Sequence, residues 1–217
     1  MLPDRAPGDG PELAAFPAYI SERAIATRAR LGEDLLATFR TSFAHLHHLL
    51  AGLGPQDWEK PCAFWLFVGP IPVRMFLSLI IPELAIHGWD IRSRFAMPAP
   101  LSAESVPVLL ARIPRMLEWP GIGILRLDAG APRSVRYRFA LTGAVPGTYD
   151  ILVENDMARI VPVSQATPHV TFRCATDIFV LLMYRRLTLE PIMQAGYLTV
   201  EGDQGLTAAF DRWLKRA

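Results

Sequence analysis

The chain has little cysteine and no surplus of charge of one sign. Cys62 and Cys174 are its only cysteines in 217 residues; far apart and in no C-x-x-C pair, they exclude a disulfide framework and a zinc knuckle and suit a reducing, cytoplasmic setting. Twenty-two Lys and Arg stand against 21 Asp and Glu, a formal charge of +1, so no broad basic field is present to draw in nucleic acid or an anionic membrane surface. Long hydrophobic runs are also lacking. The longest, around Met75 to Ile81, is cut by Pro82 and Glu83, well short of the ~20 residues that span a bilayer. The first residues lack the apolar stretch of a secretory signal, and no internal repeat appears.

What is present is apolar material for a core. Hydrophobic residues make up 51% and charged residues 20%, within the range of folded domains. Residues 1–18, rich in proline and glycine, read as a flexible leader. From Tyr19 to Leu53 there is no proline, and Ile25, Leu31, Leu35, Phe39, Phe43, Leu46 and Leu50 recur at spacings near three and four, which predicts one long amphipathic helix. Gly54-Pro55 ends it. Gln56 to Pro72, with Trp58, Phe64, Trp65 and Phe67, reads as a loop with a short strand. A second helical stretch follows over Val73 to Phe95, with a kink or restart expected at Pro82.

Residues 19–98 thus form a helical segment, Met97 to Pro100 a linker, and 102–217 a second domain. A helix capped by Ser102 is expected through Leu117. Beyond Gly121 the period changes to two: Val135, Tyr137, Phe139 and Leu141 alternate with Ser134, Arg136, Arg138 and Ala140. Further strands are read at Tyr149 to Val153, Ala158 to Val163 and Val170 to Cys174, most simply joined as an antiparallel meander. Helices from Asp177 to Arg186 and Leu189 to Ala195, a strand at Tyr197 to Glu201, and a last helix capped by Asp203 complete an α+β domain. Leu206, Ala209, Phe210 and Trp213 line one face of that last helix.

Chemistry concentrates in Pro82 to Arg92. Glu83 and His87, four apart on a helix, project from one face, and their carboxylate and imidazole both suit zinc or a similar divalent ion. The same spacing also serves an ordinary surface contact beside a hydrogen-bonded histidine. Trp89 reads as a core anchor. Asp90 either orients His87 as a partner behind the metal ligands or pairs with Arg94, the commoner arrangement. Both cysteines read as small hydrophobes.

Glu83-Leu-Ala-Ile-His87-Gly-Trp-Asp90, preceded by Gly69-Pro-Ile-Pro-Val-Arg74, resembles the mycothiol-dependent maleylpyruvate isomerase family of DinB-like proteins. Phe172 to Tyr184, Arg186-Leu-Thr188, Gly196 and Glu201-Gly-Asp203 resemble the sterol-carrier-like domain that such enzymes often carry. The resemblance implies a partial DinB-like helical bundle followed by a sterol-carrier-like α+β domain with a mainly antiparallel sheet. It also implies a divalent metal, typically zinc, held by Glu83, His87 and a histidine from an earlier helix. Nothing before Tyr19 matches the family's first two helices, which leaves one of His45, His47 and His48, with His48 first, as a substitute third ligand, and exposed helical faces that a homodimer would cover.

On this resemblance the metal lowers the pKa of mycothiol, and the thiolate acts on a small electrophile of the maleylpyruvate type in isomerisation or thiol transfer. Asp90 supports His87, and Arg74, Arg92, Arg185 and Arg186 are candidates for a carboxylate substrate, Arg74 and Arg186 first among them. Two competing readings accompany it. The C-terminal domain binds an apolar small molecule or lipid, for which a long pocket near Phe179, Leu182 and Trp213 would speak, or the chain is a non-catalytic, shortened family member.

Overall fold

Alternation and helical spacing resolve into seven helices and seven strands among the described residues. The computed structural model describes residues 16–63, 70–95, 99–118, 125, 127, 134–155 and 157–215. The leader up to residue 15, the aromatics Phe64, Trp65 and Phe67, Met97 and Pro98 of the linker, and Asp156 lie outside them. The chain divides into two compact units, Met1–Ile80 and Ile81–Ala217. No helix among the described residues is long and apolar enough to cross a membrane.

In the first unit the single long helix expected from the sequence is two. α1 (Phe16–Leu31) and α2 (Leu35–Ala51) are separated by a 3-10 turn at Gly32–Asp34. Gly32 sits at φ +52°, the left-handed region that glycine enters at no steric cost, and this ends α1. No residue of α2 is buried, and Leu36, Phe39, Phe43 and Leu49 are exposed on it. Gly54 opens a second short turn, its N–H donating to Asp57 Oδ2 at 2.7 Å. The strand expected in the following loop is a two-residue antiparallel pair, β1 (Pro61–Cys62) with β2 (Ile71–Pro72).

α3 (Val73–Arg92) runs unbroken through Pro82, so there is no restart. In the second unit its residues Pro82, Ile86 and Trp89 are buried, and Trp89 Nε1 donates to the Ala99 carbonyl at 2.6 Å. α4 (Ser105–Glu118) begins three residues after Ser102, whose carbonyl, rather than its hydroxyl, takes the first N–H groups. It accommodates Pro107 in its first turn, where a backbone N–H has no helical partner. Val106, Leu109, Leu110, Ile113 and Leu117 form its buried stripe.

The sheet holds β3 (Ser134–Thr142), β4 (Gly147–Glu154), β5 (Met157–Val161), β6 (Val170–Ala175) and β7 (Leu198–Gly202) in the order β5-β4-β3-β6-β7. The first three form a meander, but β6 lies parallel to β3, with Tyr137 opposite Val170 and Phe139 opposite Phe172. The antiparallel meander, the simplest joining, thus holds for β3 to β5 but not for β6. Period-two alternation is identical for both directions, so it carries no sign of the crossover. The other three pairings are antiparallel, and the sheet is mainly so. At the end of β7, Gly202 has φ +118°, and a Cβ there would stand 2.3 Å from the His169 carbonyl oxygen, which excludes any other residue.

α5 (Thr176–Met183), α6 (Leu189–Gln194) and α7 (Gln204–Lys215) complete the unit. α5 is buried nearly all round, as its uninterrupted apolar run requires. Asp203 Oδ1 accepts the Leu206 N–H at 2.9 Å and caps α7, as its place before the apolar stripe predicts. Tyr137, Phe139, Phe172, Phe179, Phe210 and Trp213, each at most 1% exposed, meet between strands and helices with ring centroids 4.7–6.2 Å apart. On the opposite face of β3 and β4, Asp150 is fully buried between Arg136 and Arg138.

Candidate functional site

One helical turn separates Glu83 from His87, and three residues more bring Asp90 to the same side of α3. His87 is thereby flanked: Nε2 lies 3.3 Å from Glu83 Oε2 and Nδ1 3.0 Å from Asp90 Oδ2. With Nδ1–H donated to Asp90, the Nε2 lone pair faces a carboxylate. Both side chains are more than half exposed, so an ordinary surface contact and a metal ligand pair are equally compatible with this separation. Two ligands of a tetrahedral zinc, each at about 2.0–2.2 Å, stand roughly 3.3–3.5 Å apart, so Glu83 and His87 meet the spacing of a ligand pair.

Asp90 is held in turn from a distant part of the chain. Arg186, three residues beyond α5, donates Nε to Asp90 Oδ1 and Nη2 to Oδ2, both at 2.9 Å, while Nη1 reaches the Tyr184 carbonyl. The bidentate bond to Arg186 holds the Asp90 carboxyl below the usual carboxylate range, against the opposing effect of partial burial, with the Arg186 charge and the bond from His87 assisting. The expected Asp90–Arg94 pair is not the arrangement formed. The planar fork of Arg186 matches both oxygens at once, and no spacing in the sequence announces a partner 96 residues away.

His48 is exposed on α2, and Arg74 is exposed and paired with Glu59, both in the first unit. Among the described residues no group of three or more His, Cys, Asp or Glu side chains is placed to hold a metal ion. The donor set therefore fits a metal only in part: two ligands and an orienting carboxylate, where a catalytic zinc takes three protein ligands. Cys174 is buried, its thiol pushed up to about 12 by burial and by the nearby Asp177 charge, which leaves it no thiolate at neutral pH.

The aromatic core is the second candidate site. A void wide enough for an acyl chain leaves accessible surface on the residues that line it. Phe179, Leu182 and Trp213 have 0, 0 and 1%, so the long pocket that would speak for lipid binding is not open at these residues, whose own side chains fill the space. Among the described residues one polar atom inside that packing has no partner: Trp213 Nε1, a buried donor without an acceptor. The sequence carried no sign of it, since an indole on an apolar stripe reads as bulk.

These strands and the last helix settle what the second unit is similar to. Residues 131–215 match the SCP-2 sterol transfer family. The matched segment takes in β3 to β7 and α5 to α7, so every ring of the aromatic core belongs to the SCP-2 segment. No curated protein matches the chain. Among solved structures, sterol carrier protein 2 like 2 from Aedes aegypti shares 16% identity over 50% of this chain and 95% of its own, with a TM-score of 0.36. Sterol carrier protein 2 from Yarrowia lipolytica, in its apo form, shares 17% over 55% and 96%, with a TM-score of 0.35. Sterol carrier protein domain 2 of Helicoverpa armigera shares 13% over 76% and 95%, with a TM-score of 0.31.

Proposed function

We propose that the SCP-2 segment binds one apolar small molecule or lipid that carries an oxygen acceptor, and that Trp213 Nε1 takes that oxygen. The unpaired, buried indole N–H is the observation that carries the reading. A buried donor without a partner costs about 1–3 kcal/mol, and phenylalanine would fill the same stripe without that cost. The match to a sterol-transfer family over the whole sheet and the last helix supports it independently. Because the six rings already fill the core, some of them must shift to admit a ligand, and association is slower than diffusion allows.

Titration with the neutral fluorescent sterol dehydroergosterol tests this. Saturable one-to-one binding is expected, with stability rising by about 2.7 kcal/mol at 100 times Kd. Trp213→Phe, which keeps a ring and removes the donor, is expected to weaken binding roughly 3- to 10-fold, the worth of one neutral hydrogen bond. Absence of saturable binding to the unaltered chain would sink the reading.

A second reading is favoured by the carboxylate–imidazole–carboxylate geometry on α3. Here Glu83 and His87 hold a divalent metal, most suitably zinc, with Asp90 fixing the imidazole and Arg186 fixing Asp90. When bound, such an ion would supply a thiolate from a low-molecular-weight thiol such as mycothiol for use on an electrophile of the maleylpyruvate type. A third ligand, and cover for the exposed apolar side chains of α2, would both come from a second copy of the chain. Elemental analysis decides it. Near-stoichiometric zinc in a dimeric species, lost in a Glu83→Ala/His87→Ala double variant, is expected, and equal trace metal in both proteins would refute it.

A further inference from the structure

In the second unit α3 carries two apolar faces, of which one is buried. Pro82, Ile86 and Trp89 lie in the core, while Ile81, Leu84, Ile91 and Phe95 are 42, 43, 65 and 87% exposed. With Gly88, the exposed residues follow one another at intervals of three, four, three and four, the 3.5-residue repeat by which one helix packs along another. The stripe continues past the helix into a turn closed by bonds from Arg94 N–H to the Ile91 carbonyl and from Phe95 N–H to the Arg92 carbonyl. Large apolar side chains gathered in one exposed stripe mark an interaction face.

Gly88 stands at the middle of this stripe, where the unit's own fold does not call for glycine. Its backbone is helical, and among the described residues a Cβ there would meet only the tip of Arg92, Nη1 at 3.4 Å, an ordinary contact. Glycine inside a helix lowers stability relative to alanine, so its place here suits a close approach from outside. The flanking charges say what approaches. Glu83 and Arg94 lie eleven residues, or three turns, apart on one side of the stripe, five before Gly88 and six after. A second α3 laid antiparallel across a two-fold axis beside Gly88 would set Glu83 against the partner's Arg94, twice over. The same axis would set His87 against the partner's Asp90 and, on the other flank, Arg92 against the partner's Ala85, so that no like charges meet. A parallel copy would set Glu83, Arg92 and Arg94 each against itself.

We infer that α3 packs antiparallel on α3 of a second copy, with Gly88 at the crossing, Ile81, Leu84, Ile91 and Phe95 as the buried seam, and Glu83–Arg94 pairs along its edges. Such a contact is isologous and closes on itself, so assembly stops at the dimer. One helix from each side is less than a standard interface, which places dissociation in the micromolar range. The contact needs no ion and does not rest on sterol or zinc binding.

Sedimentation equilibrium of the full chain in EDTA, which removes any bridging zinc, tests this. A reversible monomer–dimer equilibrium is expected. Gly88→Leu, which wedges the crossing, and Glu83→Arg or Arg94→Glu alone each weaken dimerisation about 10-fold. The double reversal Glu83→Arg/Arg94→Glu regains the affinity of the unaltered chain, because each pair re-forms with its signs exchanged. Both charged residues are exposed, so these variants fold as the unaltered chain does. A chain that stays monomeric throughout the micromolar range overturns the inference. So does a double reversal no tighter than the single ones, or a dimer that Gly88→Leu leaves intact and Phe43→Ser on α2 dissolves.

Discussion

Replacing Phe139 by alanine is expected to remove about 3–5 kcal/mol of stability, the usual cost of emptying a fully buried aromatic position. Phe139 is 0% exposed, and its ring lies 4.7 Å from those of Phe172 and Phe179 and 5.7 Å from that of Phe210. It joins β3 to β6, α5 and α7 at once, so its neighbours cannot collapse into the gap without parting the sheet from the helices. Against a total of roughly 5–15 kcal/mol for a typical domain, a loss of this size brings the unit close to unfolding. Urea unfolding followed by intrinsic fluorescence checks it. A shift worth less than about 1 kcal/mol would mean that the core is loosely packed, and that a ligand could enter without displacing any ring.

The second large effect lies on the other face of the sheet. Asp150 has no solvent exposure, and it receives Arg138 Nε and Nη2 at 2.8 and 2.9 Å and Arg136 Nη1 at 3.0 Å. Burial pushes its carboxyl upward, but the bonds and charges of Arg138 and Arg136 outweigh it and hold the group below its ordinary value. Removing Arg138 leaves a buried carboxylate with one partner, which costs about 3–5 kcal/mol. Asp150→Asn leaves two guanidiniums that are 18% and 22% exposed and already reach water, so roughly 1–2 kcal/mol is expected.

The pH dependence follows in sign. A carboxyl whose folded pKa is depressed contributes stability that is complete above its unfolded pKa, near 3.9, and is lost as pH falls through the folded value. In Arg138→Ala the arginine that opposed burial is gone, and Asp150 takes up a proton more readily. The deficit of Arg138→Ala relative to the unaltered chain is therefore largest near neutrality and shrinks in acid. A deficit equal at pH 7 and pH 3, measured by urea unfolding, would mean that the ion pair contributes little.

How much of this was legible depended on whether the cause was local. The strands from Ser134 to Glu154 were readable because each residue's face is set by its neighbours, and Asp203 announced α7 because capping acts over three residues. The break at Gly32 was hidden by a coincidence of spacing: Leu31 and Leu35 keep the helical interval of four across the turn. The parallel seat of β6 beside β3 and the hold of Arg186 on Asp90 both join residues far apart in sequence, and no periodicity records them.

The two expected sites fared differently for the same reason. Glu83 and His87 lie one helical turn apart, so their spacing alone brought them together. A third ligand has no such constraint, and composition cannot report whether a core is hollow. Phe179, Leu182 and Trp213 read equally well as the lining of a pocket or as its filling. Only the packed rings distinguish the two, and only the packing isolates the indole N–H.

The most direct measurement is the indole N–H resonance of Trp213 in nitrogen-15-labelled protein, assigned by its loss in Trp213→Phe and followed through a titration with dehydroergosterol. A downfield shift that saturates with the fluorescence signal is predicted, because the unpaired donor gains its acceptor. Saturable sterol binding with the Trp213 resonance unmoved would contradict the assignment of the ligand's oxygen to that atom. No binding at all would remove the function proposed for the SCP-2 segment.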